Sequence, residues 1–181
     1  MDLFSTSDMS NLKDLLKNSR LTNVQIVYLH GSGKMGLNAT KDFLPDLLSI
    51  TQHQLFLDSF SLTEADLQMI FKHATNVANL YLINCEVGKV SKSLGLSAKQ
   101  AYKLKNLDLF YTAIVDSADH LNKEKLDHIL GEIAKSEIAK TLKTLHVCND
   151  DYPQKDLQTL LDKQGLKCKV VADGKTPEPD E

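Results

Sequence analysis

A chain of 181 residues suffices for one compact domain, and such a domain buries roughly 70% of its unfolded surface. Apolar residues make up 42% and charged residues 25%, with a net charge of −3, the balance of a soluble globular protein; no apolar run approaches the ~20 residues that cross a bilayer, so membrane insertion is not expected. Arg20 is the only arginine, and a chain without an arginine-bearing basic patch is a poor nucleic-acid binder; the lysine bias reads as genome composition rather than function.

Residues 1–10 are polar and have neither the apolar stretch of a secretory signal nor the Arg-rich character of a transit peptide. Cys85, Cys148 and Cys168 are odd in number and form no CxxC pair, which disfavours a disulfide framework or a zinc site. Both features point to a cytoplasmic, reducing location. Ser7 or Asp8 can start a helix through Leu12, Leu15 and Leu16, and residues 1–20 are predicted to cap the first strand.

From residue 21 onward one pattern recurs. Apolar residues stand at spacing three, then two, at Val24, Val27 and Leu29; at Val77, Leu80 and Leu82; at Leu104, Leu107 and Leu109; and at Leu142, Leu145 and Val147. Leu55 and Leu57 fit with Gln52 in the outer place. The middle positions Val27, Leu55, Leu80, Leu107 and Leu145 stand 28, 25, 27 and 38 residues apart. The continuations are also similar: Phe60 and Leu62, Cys85 and Val87, Thr112 and Ile114, Asp150 and Tyr152, and, one residue late in the first unit, Ser32 and Met35. A polar or small residue at the first of these places turns the chain out of the strand, so Phe60 and Asp150 depart from the pattern.

Each unit then enters an amphipathic stretch. Phe43, Leu44, Leu47 and Leu48; Leu67, Ile70 and Phe71; Leu126, Ile129, Leu130 and Ile133; and Leu157, Leu160 and Leu161 have helical spacing with one apolar stripe. Predicted helix starts are Asn38 or Thr40, Thr63 before Glu64, Ser97, and Asn122. Ala98, Ala101 and Leu104 give the third unit a thin apolar face. The long fourth interval contains residues 121–143, read as one helix weakened at Gly131 or as a helix plus an extra turn. Gly165 stops the last helix, and the alternating residues 166–171 form a final edge strand. Residues 172–181 are predicted to be a flexible acidic tail.

Five units in phase over about residues 21–165 resemble the leucine-rich-repeat family, in its ribonuclease-inhibitor-like or cysteine-containing subclass. The resemblance implies an α/β fold: a right-handed horseshoe fragment with a parallel sheet on its concave side and helices outside. Residues 21–171 would form that domain. It also implies a protein-binding module, a scaffold or adaptor subunit without chemistry of its own, needing no cofactor and no small-molecule substrate. The alternative within the family is a regulator of an enzyme, of the inhibitor or GTPase-activating type.

If the LxL residues face the core, the intervening ones face the concave surface. These are Tyr28, Phe56, Tyr81, Asp108 and His146, followed two places on by His30, Asp58, Ile83, Phe110 and Cys148. Four of the chain's eleven aromatic residues gather there, so the partner-binding surface is assigned to Tyr28, His30, Phe56, Asp58, Tyr81, Ile83, Asp108, Phe110 and His146. Gly31, Ser32, Gly33 and Lys34 suggest a nucleotide-binding enzyme, but the spacing of a phosphate loop is broken and no Ser or Thr follows Lys34. A solvated surface is the expectation for all six histidines. Residues 121–143 are a second candidate rim for a partner.

Overall fold

The computed structural model of the chain describes residues 14, 16, 23–88, 93–96, 99–110, 112–114, 123–147 and 154–171. Its strands are β1 (Val24–Gly36), β2 (Thr51–Leu62), β3 (Asn79–Ile83), β4 (Glu86–Val87), β5 (Asn106–Phe110), β6 (Ala113–Ile114), β7 (Thr144–His146) and β8 (Lys169–Val171). Its helices are α1 (Leu44–Ile50), α2 (Glu64–His73), α3 (Lys123–Ala134), α4 (Ile138–Thr141) and α5 (Gln154–Gln164), with a 3-10 turn at Leu37–Thr40. The architecture is mixed α/β with one open sheet, and every strand pairing is parallel.

The recurring leucines set the register. Val27 lies opposite Leu55, Leu55 opposite Leu80, Leu80 opposite Leu107, Leu107 opposite Leu145, and Leu145 opposite Val170. Leu29, Leu57, Leu82 and Leu109 form the neighbouring row. Both rows are buried and share one core with Leu44, Leu48, Ile70, Leu126, Leu130, Ile133, Leu157 and Leu161 of the helices. A parallel strand buried on one face against helices must place every second residue there, and a one-residue slip would expose the whole row. Val170 extends the row by a rank that the sequence reading took only as a terminal edge strand.

The continuations pair as the phase required. Leu62 lies opposite Val87, and Val87 opposite Ile114. Between the two strips the chain bends at Ser59 and Asn84, whose φ angles are +62° and +50°. Cys85 then donates through Sγ to the Leu57 carbonyl at 3.2 Å, and Thr112 donates through Oγ1 to the Leu82 carbonyl at 2.7 Å. A small donor at this place therefore satisfies a buried carbonyl of the preceding rank. Phe60 occupies the same place but is packed in the core. Gly31 makes the room: a Cβ there would come within 2.8 Å of the Ser59 carbonyl oxygen and 3.0 Å of the Phe60 ring.

Helix α2 starts where predicted. Thr63 accepts from the Asp66 backbone N–H, and the Asp66 carboxylate accepts from the Thr63 N–H, a reciprocal capping box. Glu64 and Asp66 in its first turn and Lys72 and His73 in its last suit the helix dipole. The first helix begins later than predicted: Asn38 and Thr40 belong to the 3-10 turn, and α1 opens at Leu44 with Pro45 in its first turn. Proline fits there because it has no N–H to lose.

Three further expectations are corrected. Thr51, not Gln52, is the fully buried residue opposite Val24; its Oγ1 bonds the Leu47 carbonyl of α1. The first unit carries three extra residues rather than one, because His30 pairs with Asp58 and Met35 with Phe60. The third unit has no helix among the described residues; Leu94, Tyr102 and Leu104 fill the core while Ala101 is exposed. Residues 123–141 form α3 and a separate turn, α4, the helix-plus-turn alternative of the two, with the break at Ser136. Ser136 returns its hydroxyl to the Ile133 carbonyl at 2.8 Å and accepts from the Ile138 N–H, which ends one helix and starts the next. Gly131 instead permits a close approach, with Gln164 at 3.2 Å from the position of a Cβ.

Gly165, with φ +72°, closes α5 as expected, and the Leu166 N–H reaches back to the Leu161 carbonyl. Ser7, Asp8, Leu12, Leu15, Ser97, Ala98, His120, Asn122, Cys148, Asp150, Tyr152 and the tail 172–181 lie outside the described residues. Of the predicted N-terminal cap, Asp14 and Leu16 are helical, and Leu16 packs against the core. Among the described residues no helix is long and apolar enough to cross a membrane.

Candidate functional site

The residues between the core leucines form rows on the opposite sheet face. Tyr28 lies opposite Phe56, Phe56 opposite Tyr81, Tyr81 opposite Asp108, and Asp108 opposite His146. In the next row His30 lies opposite Asp58, Asp58 opposite Ile83, and Ile83 opposite Phe110. All nine assigned residues therefore occupy the register positions expected of them; Phe110 is described by its backbone alone.

Their exposure differs from the expectation. Phe56, Ile83, Asp108 and His146 are each less than a tenth exposed. Phe56 is held between two rings: its centroid is 4.2 Å from that of Tyr81, with the ring planes nearly parallel, and 5.8 Å from that of Tyr28 at a tilt of 38°. These side chains form a second apolar cluster, separate from the main core, with Phe56 and Ile83 inside and Tyr28 and Tyr81 half-buried around them. Parallel strands bring equivalent residues of adjacent ranks side by side, so bulky residues at one repeat position cover one another.

Beside the rings lie two histidine–carboxylate pairs. Asp58 accepts from the Tyr28 hydroxyl at 2.5 Å, from the Ser59 hydroxyl at 2.8 Å and from the Asn84 amide at 3.3 Å, and its Oδ2 is 3.1 Å from His30 Nδ1. Burial pushes the Asp58 carboxyl up, but the four hydrogen bonds outweigh it and hold the group below the usual aspartate value. The second pair is deeper: His146 Nδ1 is 2.7 Å from Asp108 Oδ2, with side chains 10% and 5% exposed. A solvated surface was the expectation for both histidines; His146 is instead enclosed with its carboxylate, and His30 sits at the rim. An enclosed pair of this kind adds little net stability, but losing one partner strands the other.

Ser59 gives its proton to Asp58, not to a histidine, so the nucleophile–base contact of an acyl-transfer site is not formed there. No group of three or more metal-ligating side chains occurs among the described residues. Cys85 is buried in the turn, and desolvation pushes its thiol up to about 11, far from a reactive thiolate. The backbone from Gly31 to Lys34 stays in β1 as an irregular strand that rejoins β2 at Met35; it does not lead straight into a helix as a phosphate loop does.

One further row was not marked by the leucine pattern. Ile26, Gln54, Asn79, Asn106 and Thr144 stand two places before the row of Tyr28, Phe56, Tyr81, Asp108 and His146, on the same face. The Asn106 amide donates to the Asn79 carbonyl oxygen at 2.5 Å, and Ile26, 43% exposed, is the exposed large apolar side chain of the described residues. The recurrence of amides at one phase was the available signal. No family model, curated protein or solved structure matches this chain.

Proposed function

We propose that the chain is a leucine-rich-repeat solenoid that binds another protein through the sheet face of Tyr28, Phe56 and Tyr81, as a scaffold or adaptor with no chemistry of its own. The observation that carries this reading is the stacked aromatic row, continuous across three strands and bordered by exposed Ile26. Rings already fixed against one another lose little freedom on binding, which is what makes aromatic side chains effective interface anchors. Asp58, kept ionised by its hydrogen bonds, and His30 supply a polar rim.

The test is a quantitative pull-down from native extract with the wild type, Ile26→Asp, Tyr81→Ala, and the control Lys155→Glu on α5. A partner kept by the control and weakened about thirtyfold by each face variant, a loss of about 2 kcal/mol, is the expected result. A partner retained by both face variants refutes the assignment of this face.

A further inference from the structure

The lysines are not spread evenly. At the amino ends of β2, β3 and β5 a cleft of about 540 Å³ is lined by His53, Tyr102, Lys103, Lys105, Lys140 and Lys143, and no carboxylate lines it among the described residues. It lies away from the aromatic row: its lysines come from the segments that lead into β5 and β7 and from α4.

The backbone holds these lysines in place. The Lys103 N–H donates to the Thr75 carbonyl at 2.9 Å, the Lys105 N–H to the Ala78 carbonyl at 2.8 Å, and the Lys143 N–H to the Lys105 carbonyl at 2.7 Å. Lys105 and Lys143 therefore occupy the same phase of adjacent ranks, each just before its strand. Lys140 is paired with Glu137 at 2.6 Å. Lys103, Lys105 and Lys143 form no ion pair with another described residue, in contrast to Lys135 and Lys163, which meet Glu132 and Asp127.

Like charges gathered without counter-charges repel one another, and a cleft focuses their field on whatever anion enters it. We infer that this cleft binds a compact polyphosphate-bearing small molecule. The volume falls in the range of small-ligand sites, roughly 300–1,000 Å³. The ammonium groups of Lys103, Lys105 and Lys143, which pair with no described carboxylate, match several negative charges placed close together, with the Glu137-paired Lys140 beside them. Phosphate groups in a chain provide that density, whereas carboxylates along an acidic peptide are spread over many ångströms. Lysine serves here as a point charge for phosphate, without the planar fork of arginine. The inference does not depend on the sheet-face reading.

The experiment is calorimetric titration of the full chain with inorganic tripolyphosphate at low salt, followed by orthophosphate and a hexaglutamate peptide. Saturable binding of tripolyphosphate is expected, at least tenfold tighter than either competitor. Lys105→Gln/Lys143→Gln should weaken it at least tenfold, and so, more mildly, should Lys103→Gln. The control Lys72→Gln/Lys155→Gln, with the same change in net charge, should bind as the wild type does. All these lysines are exposed, so thermal melts of the ligand-free variants should show the wild-type transition; the Lys103→Gln titration decides the matter if the double variant does not fold. Absence of saturation at millimolar tripolyphosphate, equal loss in the control, or equal affinity for hexaglutamate would each overturn the inference.

Discussion

Leu82 and Tyr81 are neighbours in β3 that face opposite ways, and their truncation separates the two faces of the sheet. Leu82 is 3% exposed and lies between Leu57 and Leu109 in the core row. Removing a buried leucine side chain costs about 2–5 kcal/mol, because transfer energy is lost and a cavity remains. For a domain of this length each kcal/mol shifts the melting temperature by roughly 2–4 °C. A mid-range loss of about 3 kcal/mol for Leu82→Ala therefore lowers it by roughly 6–12 °C. Tyr81 is half-buried, with its ring stacked on Phe56 at 4.2 Å. Tyr81→Ala removes a ring pair worth about 0.5–1.5 kcal/mol plus part of the ring's burial. A total near 1–2 kcal/mol follows, higher than for an isolated surface ring and still below that of Leu82. Urea denaturation of Tyr81→Ala, Phe56→Ala and the double variant should return a coupling of about 0.5–1.5 kcal/mol. Should Tyr81→Ala cost more than Leu82→Ala, the face assignment is reversed; zero coupling would mean the stack contributes nothing.

Two further outcomes test the fold and the rim. Gly31→Ala should destabilise by about 1–3 kcal/mol in denaturant melts, because its Cβ would sit 2.8 Å from a carbonyl oxygen and 3.0 Å from the Phe60 ring; a wild-type melt would refute the close approach. Asp58 binds its proton less readily folded than unfolded, so its contribution is complete above the unfolded value of about 3.9 and is lost as pH falls through the lower folded value; Asp58→Asn should therefore lose less stability than the wild type between about pH 5 and 2, and an unchanged difference would deny the carboxylate that role.

Much of the sheet could be read directly from the sequence, because one periodic constraint fixes it. A strand that buries alternate residues, repeated at near-constant spacing, leaves a single register in which all the leucines meet, and Leu55, Leu80, Leu107 and Leu145 meet in it. The irregular points escaped because local chemistry overrode the period. Thr51 displaced Gln52 by bonding the end of α1 with its hydroxyl. The three added residues of β1 were absorbed as an irregular register rather than a turn. The third unit did without a helix among the described residues, since its face of two alanines offered too little apolar area to fold against, and Tyr102 and Leu104 filled the space from a segment that is neither helix nor strand.

The candidate site was half legible for a related reason. Phase alone placed Tyr28, Phe56 and Tyr81 in one row, but exposure depends on what stands beside each residue as well as on which way it points. The same alignment already contained the histidine–carboxylate contacts: His30 and Asp58 share one repeat position in adjacent units, and Asp108 and His146 share another. Side chains at one phase of neighbouring parallel strands must be in contact range, so a histidine aligned with an aspartate in the repeat pattern already implies a pair. Treating the six histidines one at a time, as solvated residues, hid that consequence. The lysine cleft was hidden in the same way. Lys105 and Lys143 look scattered along the chain, yet both stand immediately before their strands, and the ladder that stacks the leucines places the two residues side by side at one cleft. In a chain built on repeats, composition averages over the positions that matter, and charge has to be counted by phase, since it is phase that determines which groups become neighbours.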